Sequence, residues 1–397
     1  MRRPIVLVTD GEQRAALAVA RSVGAAGYTV HVAARRRRSL AGVSRATAAT
    51  VVVPDALEAP EAFVEALAAY VAKHRVDVVL PITDAALLAV LANRGRFGEA
   101  VIPFAGLDAF RAASDKARLA AAAEASGVSF PKQDVAADAE AARVLVDRLT
   151  YPVVLKPSRS VGERDGIQVK VGVKHADSPA QFLERIGELP PGAAYPLLVQ
   201  QRIVGPGVGI FLLIWDGAPV AVFAHRRLRE LPPAGGVSVY AESVAAEPGL
   251  VERSRRLLAQ FGWCGVAMVE YKVDAASGTP YLMEINGRFW GSLQLAIDAG
   301  VDFPKLLVEC ALGKRVCAVP GGRAGVKGRW GWGEVNHLLH RVRRTDAELS
   351  LPPGSPSRLR AVIDGLPPWG PGARDFVWRV SDPGPFLLET LDWFRRR

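Results

Sequence analysis

The densest chemistry in this chain lies near residue 280. In Tyr281-Leu-Met-Glu-Ile-Asn-Gly-Arg288, the side chains of Glu284, Asn286 and Arg288 alternate with small or apolar residues. Successive side chains on a strand point to opposite faces, so these three share a face if the strand persists to Arg288. A carboxylate, an amide oxygen and a guanidinium on one face form a site for Mg2+ plus phosphate. The cation takes hard oxygen ligands, and the arginine neutralises the oxygens the cation leaves. A second carboxylate, Glu270, lies upstream in Val266-Ala-Met-Val-Glu-Tyr-Lys272, and the two acids are symmetric about Ser277. In an antiparallel pair without a bulge they sit opposite each other. Facing carboxylates repel unless a divalent cation lies between them. The alternative is an exposed hairpin with incidental charges, but both strands are otherwise apolar, which favours acids projecting into a cleft.

Other residues could grip anions. Lys156 ends the apolar run Tyr151-Pro-Val-Val-Leu-Lys-Pro157, where an ammonium can meet phosphate while its stem packs on the core, or can simply snorkel at a strand edge. The following loop, residues 158–166, holds Ser158, Ser160, Gly162 and Gly166. Glycine frees backbone N–H groups to cradle phosphate oxygens, although an ordinary polar loop has the same composition. Lys116 stands at a helix start with Ser114 as the expected N-cap. The basic run His225-Arg226-Arg227-Leu228-Arg229 is suited to binding a carboxylate, since Arg offers a bidentate fork. Alternation puts Arg227 and Arg229 with His225 and Arg226 on the other face. A basic solvated edge strand is the competing reading.

These groups need elements to hold them. The first hundred residues alternate short apolar runs (Pro4–Thr9, Tyr28–Ala34, Thr50–Val53, Val76–Ile82, Ala100–Ala105) with helical stretches (Glu12–Ala25, Pro60–His74, Asp84–Leu91). That alternation predicts a doubly wound parallel α/β domain. Ser114–Leu149 reads as helix-rich. From Tyr151 strands come in pairs: Phe211–Trp215 and Pro219–Phe223 flank Asp216-Gly217, and Ala267–Val273 and Pro280–Ile285 flank Ser277-Gly278. Helices are expected over Leu250–Phe261 and Lys305–Leu312. Beyond Gly321 the chain is rich in Pro, Gly and Arg, a small extension wrapped on the body. The fold class is therefore α/β plus α+β: an N-terminal α/β domain over 1–112, a central region over 113–316 divided at 204/205, and an extension over 317–397.

The chain has 397 residues, half of them hydrophobic and 23% charged, which fits a folded multidomain protein. Its net charge of +10 suits anionic ligands. The three cysteines, Cys264, Cys310 and Cys317, form no CxxC pair, which argues against a zinc or disulfide framework. No apolar run approaches the length of a signal peptide or membrane span, so a cytoplasmic location without membrane association is expected. Nucleic-acid binding is not expected, since no known motif accompanies the charge. An NADP-binding oxidoreductase is a rival: Arg35–Arg38 follow the second strand, where a 2′-phosphate can be held, but Thr9-Asp-Gly-Glu-Gln-Arg14 carries no GxGxxG.

Over roughly Ser114–Leu312, the order of these motifs resembles the ATP-grasp superfamily. The resemblance implies the corresponding architecture, an N-terminal parallel-sheet domain before a helix-rich/β subdomain and an antiparallel-sheet subdomain. It implies ATP with one or two Mg2+ ions (Mn2+ as a substitute) on Glu270, Glu284 and Asn286. Lys116 and Lys156 would contact the nucleotide's phosphates, residues 158–166 would close over them, and Gln200, Gln201 and Ile203 would line an adenine-binding hinge. Many relatives carry Glu at one of those glutamines and an acid near Gly207 for the ribose, and this chain has neither. His225, Arg226, Arg227 and Arg229 would face the substrates, with Arg288 and Lys156 acting on the transferred phosphoryl group. The implied activity is joining a small carboxylate to an amine (or thiol) through an acyl phosphate, in a homodimer. Bicarbonate activation of the carbamoyl-phosphate-synthetase or biotin-carboxylase kind is the alternative within the superfamily.

Overall fold

The computed structural model describes residues 2–157, 161–164, 167–170, 172–190, 194–352, 354–365 and 372–395. At the N-terminus, β1 (Ile5–Val8), α1 (Arg14–Ala25), β2 (Thr29–Ala34), β3 (Ala49–Val52), α2 (Pro60–His74), β4 (Val78–Leu80) and α3 (Asp84–Ala92) follow one another. The strands form a parallel sheet in the order β3-β2-β1-β4. Val6, Leu7, Val8, Val78, Val79 and Leu80 are fully buried, as central parallel strands covered on both faces require. The strand expected over Ala100–Ala105 is reduced to a single bridge, Val101 to Val78. Pro103 has no N–H to donate, and Arg94 takes the carbonyls of Ile102 and Phe104 at 3.0 and 3.1 Å.

Helices α4 (Leu107–Ser114) and α5 (Lys116–Ala125) lead into the second unit. Ser114 does not cap α5: it is the last residue of α4, its hydroxyl bonds back to Phe110 O, and Asp115 instead accepts from Arg118 N at 3.1 Å. The stretch expected to be helix-rich also contains a strand, β5 (Gln133–Ala136), before α6 (Ala139–Val144). There follow β6 (Val153–Pro157), the hairpin β7 (Val161–Arg164) with β8 (Ile167–Lys170), then β9 (Lys174–Ala176), α7 (Pro179–Gly187) and β10 (Leu197–Gln201). The order β5-β10-β6-β9 makes a small antiparallel sheet with its own core of Val153, Leu155, Phe182, Ile186, Leu197 and Val199.

The third unit is built on β11 (Gly207–Trp215), β12 (Ala218–Leu231), β13 (Val237–Ser243), α8 (Pro248–Ala259), β14 (Gly265–Val273), β15 (Pro280–Asn286), α9 (Leu293–Asp298) and α10 (Phe303–Ala311). Asp216 and Gly217 close the β11–β12 hairpin with φ of 49° and 77°, the paired positive values that match strand twist in a two-residue turn. The C-terminal segment adds β16 (Lys327–Arg329), α11 (Gly331–Arg343), α12 (Arg358–Gly365), β17 (Arg374–Asp375) and α13 (Gly384–Arg395). It extends the large sheet, whose order is β15-β14-β11-β12-β13-β16-β17. One apolar core joins this sheet to the N-terminal sheet, so the two are packed together, while the small sheet keeps a separate core.

Candidate active site

Glu270 on β14 and Glu284 on β15 are direct cross-strand partners. A bulge brings them there. Near the hairpin tip the pairs are Lys272–Tyr281 and Tyr271–Leu282, a register that would continue to Glu270–Met283; Met283 is left over, and the register resumes at Glu270–Glu284. The acids then head a row of paired residues across the sheet: Glu284, Glu270, Gly209, His225 and Ser243.

Two glycines of β11, Gly209 in this row and Gly207 two residues before it, clear a path. A Cβ at Gly207 would stand 2.9 Å from Arg227 Cδ and 3.3 Å from Glu230 Oε1; one at Gly209 would meet the Phe211 ring at 2.6 Å. Through that gap Arg227, on β12, reaches over β11. Its Nη2 donates to Glu270 Oε2 at 2.5 Å and its Nη1 to Glu230 Oε1 at 2.9 Å. Burial disfavours the guanidinium charge, but the two carboxylates outweigh it and hold Arg227 even more firmly protonated than usual. Burial lifts Glu270 to about 7, against the pull of Arg227 and with a further push from Glu284. Glu284 differs. Burial raises it too, but the Asn286 amide at 2.8 Å, Lys116, Lys156 and Arg227 together hold it below the ordinary carboxylate range.

Two lysines face these acids from the small sheet and α5. Lys156 Nζ donates to Gln200 Oε1 at 2.8 Å, and burial, reinforced by Lys116, brings it down to about 8 against the attraction of Glu284 and Glu270. Lys116 Nζ reaches Pro157 O at 3.3 Å; burial lowers its pKa, while Glu284 and Asp115 oppose that. Strand β15 ends at Asn286, yet Arg288 stays beside it: its Nη2 donates to Asn286 Oδ1 at 3.1 Å, and its Nε to Asp84 Oδ2 at 3.0 Å.

The rest of the expected site is less uniform. Gln200 and Ile203 are buried and Gln201 is exposed on β10 and the segment after it. Gly162 pairs with Val169 in the β7–β8 hairpin, whereas Ser158, Ser160 and Gly166 lie outside the described residues. His225 is buried, with Nδ1 3.4 Å from Ser292 Oγ and Nε2 without a hydrogen-bond partner among the described residues, and burial followed by Arg227 pushes it down to about 3. Burial therefore favours the neutral form of the ring. Arg226 is half exposed on the opposite face, paired with Glu242 at 3.0 Å. Two register shifts around Leu228 break the expected alternation. Arg229 turns away to Glu334 at 2.9 Å and stacks over the Tyr240 ring, 4.8 Å from its centroid. Of the basic run, only Arg227 meets the acids. Arg35 and Arg36 at the end of β2 are paired with Asp55 and Asp392.

Four contributors escaped the sequence reading. Lys272 lies two residues beyond Glu270, and strand alternation alone could have found it. His175, pushed down to about 3 by burial and then by Arg202, Lys272 and Lys156, borders the same cleft. Glu230 pairs with Arg227 three residues away on β12, and Asp84 reaches the site only through tertiary pairing. A cavity of about 840 Å3 adjoins it, between residues 204–207, Arg227, Arg229 and Lys272 on one side and the C-terminal Leu351, Pro352, Pro356 and Ile363 on the other.

The arrangement can hold a ligand that is at once cationic and polyanionic. Among the described residues no three His, Cys, Asp or Glu side chains are grouped so that they could hold a metal ion by themselves. The donors here are two carboxylates and an amide, an oxygen set that suits a hard divalent cation, and Glu270, lifted toward protonation by burial, is a ligand that such a charge would keep ionised. Lys116 and Lys156 stand ready for phosphate oxygens. The residues therefore fit Mg2+ together with a nucleoside triphosphate.

Comparisons with known proteins find chains of similar sequence and fold. Residues 194–331 match a family model described as ATP-grasp in the biosynthetic pathway with Ter operon. The chain is 26% identical over 234 residues to the carbamoyl phosphate synthase large chain of Thermoanaerobacter sp. (strain X514), covering 57% of this chain and 21% of that protein, so this chain spans about a fifth of that relative's length. Its fold matches the L-amino acid ligase from Bacillus licheniformis with a TM-score of 0.61 at 18% identity, over 79% of this chain and 75% of that one. It also matches N5-carboxyaminoimidazole synthetase from Staphylococcus aureus complexed with ADP, with a TM-score of 0.62 at 12% identity, over 82% and 81% of the two chains. No helix among the described residues is long and apolar enough to cross a membrane.

Proposed function

We propose that this chain is an enzyme of the ATP-grasp superfamily, an ATP-dependent ligase that joins a small carboxylate to an amine through an acyl phosphate, releasing ADP and phosphate. The observation that carries this reading is the Glu270–Glu284 pair, with Asn286 beside it and Lys116 and Lys156 opposite.

In this reading Lys116 and Lys156 neutralise the phosphate chain of ATP, and β10 with the segment to Gly207 holds the base. Glu270, Glu284 and Asn286 would hold Mg2+, which when bound offsets charge on the β- and γ-phosphate oxygens. A carboxylate oxygen of the substrate attacks the γ-phosphorus; the bond to the β-phosphate oxygen breaks, and ADP leaves. Arg288 offsets the charge gathering on the transferred group. The amine then attacks the acyl carbon, phosphate leaves and the nitrogen loses a proton.

The match to a carbamoyl phosphate synthase large chain favours a second reading, in which bicarbonate is the acid. Hydroxylamine separates the two, because it traps acyl phosphates as coloured hydroxamates. With Mg·ATP, hydroxylamine and a panel of amino and hydroxy acids, the first reading expects hydroxamate and ADP in equal amounts for at least one acid, both lost with EDTA. ADP release that depends on bicarbonate alone supports the second. Absence of ADP release under every condition contradicts both.

A further inference from the structure

Arg288 is held from outside its own sheet. In the N-terminal sheet β1 has β2 and β3 on one side and β4 on the other, so the chain reverses direction across the sheet between the ends of β1 and β4. Ligand crevices of open α/β sheets form at such a switch point. Asp10 lies there, two residues beyond the end of β1. Its carboxylate accepts from Ile82 N at 3.3 Å, Thr83 N at 3.2 Å and Thr83 Oγ1 at 2.9 Å, which fixes the turn from β4 into α3. Thr83 in turn caps α3, accepting from Ala86 N at 3.2 Å. That places Asp84, the first residue of α3, against Arg288.

From Asp84 the contacts run without a gap into the site. Asp84 Oδ2 accepts from Arg288 Nε at 3.0 Å, Arg288 Nη2 donates to Asn286 Oδ1 at 3.1 Å, and Asn286 Nδ2 donates to Glu284 Oε1 at 2.8 Å. Arg288 has donors only, and an ionised Glu284 has acceptors only. The Asn286 amide is therefore held one way round, nitrogen to Glu284 and oxygen to Arg288. Turning it over would set N–H against N–H on one side and oxygen against carboxylate on the other. Its oxygen keeps a second lone pair for a cation.

We infer that Asp84 is a positioning residue: by holding Arg288, it fixes the Asn286 amide with its oxygen available to the cation of Mg·ATP, and so couples the N-terminal domain to the metal site. This rests on the ligase reading above. Groups that orient metal ligands typically change metal affinity by about 10–100-fold when removed. The test is the affinity for Mn2+ at saturating ADP, read by electron paramagnetic resonance of free Mn2+, in the wild-type chain, Asp84→Ala and Asp84→Glu, with melting curves for each. Asp84 is about half exposed, with 49% of its side chain accessible, so Asp84→Ala should stay folded. Arg288→Lys, which keeps the charge but cannot bridge Asp84 and Asn286, is a second variant. The expected result is about tenfold weaker Mn2+ binding in Asp84→Ala and in Arg288→Lys, with most of the affinity regained in Asp84→Glu. Wild-type affinity in a folded Asp84→Ala overturns the inference. A wild-type chain that binds no Mn2+ with ADP contradicts the ligase reading itself.

Discussion

Glu284→Gln should abolish magnesium-dependent ATP binding and lower ADP release by about a hundredfold or more, with the fold retained. The two facing acids are not equivalent. Glu270 is already neutralised by Arg227 at 2.5 Å and is lifted by burial to about 7. Glu284 is held ionised, its hydrogen bond coming from the neutral amide of Asn286. It is therefore the carboxylate that brings unspent charge to a cation, and replacing it with a neutral isostere removes that charge at almost constant volume. Loss of one such ligand should exceed the about 10–100-fold typical of the groups that merely orient ligands. Calorimetric titration of ATP with and without Mg2+, plus circular dichroism of both proteins, checks it. Undiminished Mg2+-dependent ATP binding in Glu284→Gln would remove Glu284 from the metal site.

The second large effect concerns stability. Arg227 is 9% exposed and joins Glu270 and Glu230, themselves 13% and 14% exposed. Arg227→Met leaves both carboxylates without their shared cation, with Glu284 facing one of them. Breaking a buried pair in this way costs about 3–5 kcal/mol, because the remaining charge is uncompensated. The sign with pH follows from Glu270. Its folded pKa lies above its unfolded value, so the protonated form is favoured by folding, and that contribution is complete below about 4.5 and lost as pH rises through about 7. Removing Arg227 raises the folded value further. The variant's deficit should therefore be small near pH 5 and grow through pH 8, measured by urea denaturation across that range. The double variant Arg227→Met/Glu270→Gln should recover part of the loss. A pH-independent deficit would place the cost in lost packing rather than in unpaired charge.

Much of the fold was legible because its signals are local. Helix α2 has the bounds expected from Pro60 and His74, and Asp216-Gly217 makes its hairpin through two positive φ values that few other residue pairs adopt so readily. The opposition of Glu270 and Glu284 was foreseen by counting from Ser277, on the assumption of an unbroken ladder. The acids do face each other, but because a bulge at Met283 offsets a hairpin register centred half a residue away. Alternation failed at Arg229 for the same kind of reason: register shifts around Leu228 are invisible in the sequence pattern, and they send Arg229 to Glu334 instead of to the acids. Strand β5 was hidden because Gln133–Ala136 is a short sheet-edge strand with only Ala136 buried, without apolar alternation. Asp84 had no local signal at all. It reaches Arg288 across 204 residues of chain, through a contact that exists only once the N-terminal sheet packs on the large one.

The proposed activity requires one binding event, a nucleoside triphosphate held together with a divalent cation between the small sheet and the large one. Isothermal titration of ATP into the wild-type chain, with Mg2+ and then with EDTA, with NADPH in a parallel cell, tests it most directly. Saturable ATP binding that requires Mg2+, with none for NADPH, is the predicted result. Binding of NADPH, or ATP binding indifferent to EDTA, would contradict a metal–phosphate site at Glu270, Glu284 and Asn286 and move attention to Arg35–Arg38 at the end of β2.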